Sequence, residues 1–258
     1  MRAQGHPLLW TVLSFAIVFV AWELTVRLFA LPEYLLPGPE PVFVALAQNI
    51  KTLAAQSLWT AGTVLAGFLV AAAVAIPLAM LIVISPVLER LLYPPMVATQ
   101  SIPKIALAPL FIVWLGVGSR SCIVVAVFIA FFPVVVSTAT GLVSVKPDVL
   151  QLCRSLTATQ WQMFRLARFP YAMPYIFAGM KVAVTMAIIG VVVGEFITAQ
   201  AGLGYIIMFA SSAGETATVL AAIVVLCAIG LVLYGLVGIG ELLVGRWYGG
   251  QMPTGGVI

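Results

Sequence analysis

The residue whose type and position most clearly suggest a chemical role is a lysine inside a long apolar run, QSIPKIALAPLFIVWLG. Lys104 follows Pro103, and Gln100 and Ser101 lie one turn earlier. Pro103 and Pro109 lack the backbone donor that a helix interior needs, so we expect a broken or bent helix with free carbonyls. A cation beside freed backbone groups suits an anionic ligand. The alternative is that the long lysine side chain only reaches out to an aqueous interface.

Further polar side chains lie in other apolar segments of the chain. Ser137 and Thr138 belong to one such segment, and Glu195 lies near the end of the next. Placing an ionisable group in lipid costs about 2.5 to 3.5 kcal/mol, so such groups usually face a cavity. Serine and threonine more often bond back to their own helix. Glu195 is therefore expected either to face a cavity or to lie at an ordinary helix interface.

The sequence contains none of the patterns that carry catalysis or nucleotide binding. No GxxxxGK[ST] phosphate loop occurs, and the short glycine patterns AGLGY and GLVGIG lie at or inside apolar segments, where small residues serve helix packing. Three cysteines and one histidine, without paired spacing, indicate neither a metal site nor a disulfide framework. We therefore expect a protein that is not an enzyme and holds no cofactor of its own.

The composition is that of a helical membrane protein. Of 258 residues, 63% are hydrophobic and only 8% are charged, which no soluble fold accommodates. Apolar runs longer than about 20 residues indicate helices, because the strands of a barrel are half that length and alternate in polarity. The net charge of +4 is small and spread along the chain, so it carries information on orientation and does not indicate a nucleic-acid surface.

Six apolar segments predict membrane-spanning helices, at residues 8–29, 58–84, 96–116, 122–142, 171–197 and 218–243. Glu23 and Arg27, four residues apart, are expected to pair. A proline-rich connector comes next, and then a predicted amphipathic surface helix with Phe43, Leu46, Ile50 and Leu53 on one face. The sequence SPVLER is predicted as a polar turn. The chain is thus divided into an N-terminal region 1–56, a core 57–245 and a polar tail 246–258.

The distribution of basic residues predicts the orientation. With six spans both termini lie on one side, together with the polar stretch 144–170. That side carries most of the basic residues: Arg2, Arg90, Lys146, Arg154, Arg165, Arg168 and Arg246. The opposite side carries more glutamates than basic residues. Basic residues accumulate in cytoplasmic loops, so the polar stretch and both termini are expected to be cytoplasmic.

The stretch SVKPDVLQLCRSLTATQWQMFRLARFP, residues 144–170, is called the polar loop. Leu150, Cys153, Trp161 and Phe164 follow helical spacing within it. The run from Thr157 to Thr159 disfavours a helix interior, so we predict two short helices joined by a turn. Such a loop between two spans is either a docking element for a partner or a basic surface that contacts anionic lipid headgroups.

The polar loop and the subsequent YAMPYIFAGMKVAVTMAIIGVVVGEFITAQAGLGYIIMFA closely resemble permease subunits of bacterial ATP-binding-cassette importers, specifically the nitrate, sulfonate, taurine and bicarbonate type. QSIPKIALAPLFIVWLGVG and LPEYLLPGPEPV resemble the same group, so the likeness covers nearly the whole chain. The resemblance implies an all-α membrane protein with the six-helix transmembrane domain of a type I importer. It further implies a cytoplasmic coupling-helix loop between spans four and five, and residence in the bacterial inner membrane.

In that family the loop carries a motif of Glu-Ala-Ala, three residues, Gly, nine residues, an aliphatic residue, one more, and Leu-Pro, which docks on the ATP-hydrolysing subunit. The motif falls here on Gln151, Leu152 and Cys153, then on Thr157, Ala167, Phe169 and Pro170. Only the proline is unchanged, so the flanking segments carry the identification. The residues of the loop that the resemblance assigns to ATPase coupling are Gln151, Leu152, Cys153, Arg154, Thr157, Ala158, Trp161, Phe164, Arg165, Arg168 and Pro170.

The mechanism implied by the resemblance is alternating access. Two copies of the permease form the pathway, two cytoplasmic ATPases bind the two loops, and an external or periplasmic binding protein delivers a small anionic solute. ATP and Mg²⁺ would be bound by the ATPases. The candidate pathway residues are Gln100, Ser101, Lys104, Ser137, Thr138 and Glu195. Glu195 is expected at an external gate, at a contact for the delivering binding protein, or at an ordinary interface. Gly190 and Gly194 suit a close crossing between the two copies.

Two other functions fit the same residues. An energy-coupling subunit of a vitamin importer would also present basic cytoplasmic helices to ATPases, but it would need a separate substrate-binding membrane protein. A secondary carrier acting alone would be expected to contain inverted repeats, and inspection of the sequence finds none. The resemblance favours the importer permease over both.

Overall fold

The computed structural model of the chain describes residues 7–198 and 200–247, and every regular element within them is helical. Residues 248–258 of the predicted tail, and Arg2, lie outside the described residues. The elements are α1 (Pro7–Leu28), α2 (Pro39–Gln48), α3 (Ile50–Ile84), α4 (Pro86–Gln100), a 3₁₀ turn (Lys104–Leu107), α5 (Ala108–Leu115), α6 (Ser119–Val143), α7 (Pro147–Ser155), α8 (Gln160–Met163), a π-turn (Phe164–Arg168), α9 (Phe169–Thr198), α10 (Leu203–Ser212) and α11 (Thr216–Trp247).

Four helices within the described residues are long and apolar enough to cross a membrane. They are α3, α6, the continuous helix Gln160–Thr198 that contains α9, and α11. They correspond to the predicted second, fourth, fifth and sixth spans. The predicted break in the third span is confirmed, because α4 ends at Gln100 and the chain resumes in a 3₁₀ turn at Lys104. The all-helical membrane fold predicted from the hydrophobic runs is therefore confirmed.

The core is built around α6, which packs against α3 on one side and against α9 on the other. Small residues allow this close approach. A Cβ atom on Gly190 would lie 2.8 Å from Cα of Ala126, and one on Gly194 would lie 2.9 Å from Sγ of Cys122. The prediction that these two glycines make a tight crossing is right, but the predicted partner was wrong. They meet α6 of the same chain, so this face is already covered within one copy.

The N-terminal region differs from its prediction in one respect. Glu23 and Arg27 form the expected ion pair. The predicted surface helix, however, is interrupted at Asn49, which ends α2 and precedes α3. The break changes which side chains face inward: Val42, Ala45 and Leu53 are buried, whereas Phe43 and Ile50 are exposed. The prediction of a single amphipathic face through residues 43, 46, 50 and 53 was therefore wrong, because the helix does not continue with one register.

The sequence SPVLER is helical, contrary to the predicted polar turn. Ser85 caps α4, and its hydroxyl accepts a hydrogen bond from the backbone N–H of Leu88 at 3.4 Å. Pro86 occupies the first helical position, where its missing N–H costs nothing. The pattern serine followed by proline thus starts a helix here, and the prolines at 94 and 95 are accommodated inside it.

An ion pair inside the bundle joins α9 to α11. Nζ of Lys181 lies 2.5 Å from Oε2 of Glu241, and the side chains are 25% and 26% exposed. The ammonium also lies 5.6 Å from the ring centroid of Tyr234. Charged side chains within spans are expensive unless paired, and this pairing neutralises both of them. The sequence pattern alone does not identify Glu241 as the partner.

Candidate functional site

Lys104 lies at the break in the third span and points toward α6. Its Nζ is 4.7 Å from the ring centroid of Phe132, at a distance suited to a cation–π contact. Phe132 is close to the centre of the 25-residue helix α6, so the ammonium sits near mid-height of this helix. Lys104 remains partly exposed. A cation at that depth, beside a discontinuous helix, has the placement seen at solute sites of transporters.

The surroundings of Lys104 are aromatic. Phe132 contacts Phe131 and Phe128 edge to face, with centroids 5.2 and 5.7 Å apart. Phe128 in turn contacts Phe111 of α5 at 5.5 Å. These rings offer apolar and quadrupolar surface next to the single charge. We call the group formed by Lys104, Phe111, Phe128, Phe131 and Phe132 the cationic break.

Lys104 differs from Lys181 in having no carboxylate partner. Among the described residues the ion pairs are Glu23–Arg27 and Lys181–Glu241, and neither involves Lys104. Within the described part of the chain, the contact of its ammonium is the ring of Phe132 and not a carboxylate. A solute that brings a negative charge would supply the missing counter-ion, which makes the cationic break the best candidate for contact with solute.

The other predicted pathway residues are spread over α4 and its cap, α6 and α9. Ser101 is exposed at the C-terminal cap of α4, and Gln100 is the last residue of that helix. Ser137 is partly buried, and Thr138 is fully buried in α6, about 9 Å along the helix from Phe132. Glu195 is only 1% exposed. The pathway role of these residues stays a prediction, and Lys104 is the one whose environment favours it most.

Thr138 carries a buried hydroxyl without a hydrogen-bond partner among the described residues. We expect Thr138→Val to raise the unfolding free energy by about 1 to 2 kcal/mol, because an isosteric methyl group removes an unsatisfied polar atom. Thermal unfolding in detergent measures the change. Thr60→Val is the matched control and should destabilise the protein, since that hydroxyl makes two buried hydrogen bonds. Loss of transport with unchanged stability in Thr138→Val would instead assign the hydroxyl to the pathway.

Glu195 belongs to a buried polar cluster that joins three helices. Its Oε1 accepts a hydrogen bond from the hydroxyl of Thr60 in α3 at 2.8 Å, and its Oε2 accepts one from the N–H of Gly204 at 2.8 Å. The N–H of Leu203 donates to the Thr60 hydroxyl, and the N–H of Gly202 donates to Gln56. Three successive donors at the start of α10 are thus satisfied by side chains of α3 and α9. We call Gln56, Thr60, Glu195 and residues 202–204 the outer clamp, because the distribution of basic residues predicts that this end of the spans faces outward.

Gly202 is required by this arrangement. Its φ of +99° lies in a region that favours glycine, and a Cβ atom there would collide with the carboxylate of Glu195. Because glycine brings no capping side chain of its own, the cap of α10 comes from elsewhere in the chain. Sequence reasoning singles out Glu195 but misses Gln56 and Thr60. The signal that could have found them is the AGLGY turn, whose free donors need acceptors.

The polar loop folds as predicted into two short helices with a turn between them. Helix α7 begins at Pro147 and α8 begins after Thr159, which forms a capping box with Gln162. Helix α8 continues through the π-turn into α9, whereas α7 is separated from α6 by residues 144–146. Phe164 and Met163 are buried against the bundle. The loop is therefore connected rigidly to the fifth span and less directly to the fourth.

Thr157 ends α7 in an unusual conformation. Its φ is +56°, and the flanking bonds are Thr157 N–H to the Arg154 carbonyl and Ala158 N–H to the Cys153 carbonyl, both 3.0 Å. These are the two bonds of a Schellman cap, in which the left-handed residue is usually glycine. A β-branched residue rarely adopts this conformation. The resemblance places Thr157 where the loop motif of the importer permeases has glycine, so a threonine at this position carries a conformational cost.

We expect Thr157→Gly to stabilise the loop by about 1 kcal/mol, because the left-handed conformation then costs nothing. Hydrogen exchange of the α7 and α8 amides measures the change, and protection should increase. The neighbouring Thr159→Ala provides a control of opposite sign, since it removes the cap of α8. Reduced protection in Thr157→Gly would contradict the assignment of a strained cap.

The surface of the polar loop combines exposed apolar and exposed basic side chains. Leu152 is 60% exposed and Trp161 is 65% exposed. Arg154 and Arg165 are exposed too, and neither forms an ion pair with any described residue. Of the other predicted coupling residues, Gln151 and Thr157 are exposed and Cys153, Ala158, Arg168 and Pro170 are partly buried. Large apolar side chains flanked by arginines are typical of a protein-binding surface.

Comparison with known proteins matches residues 71–242 to the family described as binding-protein-dependent transport system inner membrane component. A riboflavin transport system permease protein of Chloroflexus aurantiacus is 32% identical over 243 residues, which cover 93% of this chain and 91% of the relative. A formylaminopyrimidine transport permease protein of Halalkalibacterium halodurans is 34% identical, with 78% and 81% covered. More distant relatives include an aliphatic sulfonates permease of Bacillus subtilis and a nitrate import permease of Leptolyngbya laminosa, at 26% and 29% identity.

Among solved structures, an inward-facing conformation of the methionine ABC transporter MetNI resembles this chain with a TM-score of 0.63. The similarity covers 77% of this chain and 97% of the matched chain, at 17% sequence identity. At that identity the likeness establishes the fold. It agrees with the type I importer fold expected from the sequence.

Proposed function

Since this chain belongs to the family of binding-protein-dependent transport system inner membrane components, we propose that it forms the translocation pathway for a small anionic solute by alternating access. Two copies would enclose the pathway, and two cytoplasmic ATPases would supply the energy. A binding protein would deliver the solute from the external or periplasmic side. The relatives are named for solutes as different as riboflavin and nitrate, so the class of solute has to be argued from this chain's own residues.

The observation that supports an anionic solute is that Lys104 forms no ion pair with any residue in 7–198 or 200–247. Lys181 in α9 has a carboxylate at 2.5 Å, whereas Lys104 faces the ring of Phe132. The adjoining phenylalanines add an apolar surface to the cation. This combination favours an organic anion such as a sulfonate or an aromatic carboxylate, and it also accommodates nitrate or bicarbonate.

The polar loop is the proposed contact for the ATPase. Its exposed Leu152 and Trp161 provide apolar anchors, and the unpaired Arg154 and Arg165 can meet acidic groups of a partner. The continuous helix from α8 to α9 would transmit movement of the loop into the fifth span. In this arrangement the loop and both termini lie in the cytoplasm, and the outer clamp lies on the opposite side of the membrane.

A reconstitution experiment tests the proposal. Liposomes containing this chain and its ATPase should take up solute only when ATP is inside and the binding protein is outside. Nitrate, taurine and benzoate serve as probes for an inorganic anion, a sulfonate and an aromatic carboxylate. Uptake that requires a further membrane subunit would indicate an energy-coupling subunit instead. Uptake without any ATPase would indicate a secondary carrier.

A further inference from the structure

A π-turn lies where the polar loop joins the fifth span. The N–H of Phe169 donates to the carbonyl of Phe164, five residues earlier, where an α-helix uses the residue four positions back. Such a turn contains one residue more than an α-helical turn, and π-turns inside α-helices are frequent at functional sites. This one separates α8 from α9, so it determines how the two are rotated relative to each other.

Pro170 and the burial of Phe164 together give a physical reason for the π-turn, since Pro174 lies in the same helix without one. Proline has no N–H to donate to the carbonyl four residues earlier, here that of Leu166, and in a regular helix its ring collides with that carbonyl. The π-turn covers residues 164–168 and therefore includes Leu166. A wider turn at this position relieves the collision while the helix Gln160–Thr198 remains continuous. The helix therefore does not have to break at Pro170.

The extra residue changes which side chains face the bundle. Phe164 is 8% exposed and packs with Leu142, Ala172 and Ile176. Viewed along the axis of a regular helix, the side chains of Phe164 and Ala172 would point in directions about 80° apart. Because the π-turn absorbs one residue, this angle falls to about 20°. The turn thus places Phe164 on the buried face of α9. Trp161 stacks on Phe164 with centroids 5.7 Å apart, and it remains exposed together with Arg165.

We propose that Pro170 is a positioning residue for energy coupling: it maintains the π-turn, and the π-turn sets the rotation at which α8 presents Trp161 and Arg165 to the ATPase. This inference rests on the proposed function of the polar loop. It explains why a proline stands at this position although the rest of the coupling motif differs. The residue acts through the geometry of α8, and its own ring need not touch the partner.

Three variants separate rotation from general damage to the helix. Pro170→Ala alone removes the cause of the π-turn, so the helix should become regular and α8 should rotate by about 100°. Deletion of Ala167 together with Pro170→Ala gives a regular helix of the original rotation, because the surplus residue is gone. Deletion of Ala167 alone leaves proline inside a regular helix and should kink it. The whole 258-residue chain in nanodiscs is used throughout.

Two measurements report on these variants. Spin labels on cysteines introduced at Gln160 and Thr140, with Cys153→Ser and Cys227→Ser as background, give the distance between α8 and α6. Titration with the ATPase gives its Kd. Pro170→Ala should shift the label distance by several ångströms and weaken ATPase binding about tenfold or more, as when an anchor residue leaves its pocket. The double variant should restore both values.

The outcomes distinguish the inference from the function on which it rests. Unchanged label distance in Pro170→Ala, or failure of the double variant to restore it, would overturn the role of Pro170. If the wild-type chain does not bind the ATPase at all, the proposed function of the loop fails, while the label distances still decide whether Pro170 maintains the π-turn. Restored distance without restored binding would show that rotation is not what the ATPase recognises, which contradicts the proposal.

Discussion

Leucine in place of Gly190 should prevent accumulation of the folded protein. A Cβ atom at this position would lie 2.8 Å from Cα of Ala126, so even one methyl group displaces the backbone of α6. A larger side chain must push α6 away from α9 and open the main helix contact of the core. We expect the free energy of unfolding to fall by more than about 3 kcal/mol, as in the severe cases of overpacking. Fluorescence-detected size-exclusion chromatography of the expressed variant measures the folded fraction.

Gly235 supplies the matched control for this substitution. It also lies within a spanning helix, but a Cβ atom there would meet nothing within 4 Å among the described residues. Gly235→Leu should therefore accumulate normally, and Gly235→Ala should be neutral or slightly stabilising because alanine favours the helix. A monodisperse Gly190→Leu protein with wild-type thermal stability would show that the contact between α6 and α9 is not close-packed.

Replacement of Lys104 by alanine should reduce uptake of an anionic solute about thirtyfold or more. The reason is that truncation of a desolvated charge leaves the solute anion without a partner, which typically costs about 2 to 5 kcal/mol. Basal ATP hydrolysis should be unchanged, since Lys104 contacts Phe132 near the middle of α6, whereas the polar loop begins only at the end of that helix. Initial uptake rates in the reconstituted liposomes, with the probe that the binding protein accepts, measure the effect.

Two further substitutions make the test specific. Lys104→Arg should retain much of the uptake, because the charge and the contact with Phe132 are preserved. Lys51→Ala should have no effect, since that lysine is exposed in the first turn of α3. Wild-type kinetics in Lys104→Ala would remove this residue from the pathway and would leave the solute class without support from the structure.

The features that depend on local sequence could be predicted. Long apolar runs have few alternatives to a spanning helix. The prolines beside Lys104 indicated an interruption correctly, whereas the prolines at 94 and 95 lie inside α4 without ending it. The two-helix loop could be predicted from threonines that disfavour a helix interior. The resemblance to the ABC importer permeases rested on segments from nearly the whole chain, and the family comparison confirms it.

The features that depend on contacts between distant segments could not be predicted. The glycines at 190 and 194 indicate a close crossing, but no pattern in α9 says whether the other helix is α6 or a second copy. The acceptors on α3 for residues 202 and 203 lie more than 140 positions away in the sequence. Predicting the π-turn requires both Pro170 and the knowledge that Phe164 is buried, and the sequence alone does not supply the second. In each case the partner is chosen by tertiary packing, which periodicity does not encode.

The outer clamp has a consequence for the order of events during biogenesis. The first donors of α10 find their acceptors only on α3 and α9, and an unsatisfied donor in lipid is costly. Helix α10 therefore reaches its final state only where the second and fifth crossings already lie side by side, and both of them are synthesised before it. Its assembly thus depends on a carboxylate that enters the membrane only a few residues ahead of the helix it holds.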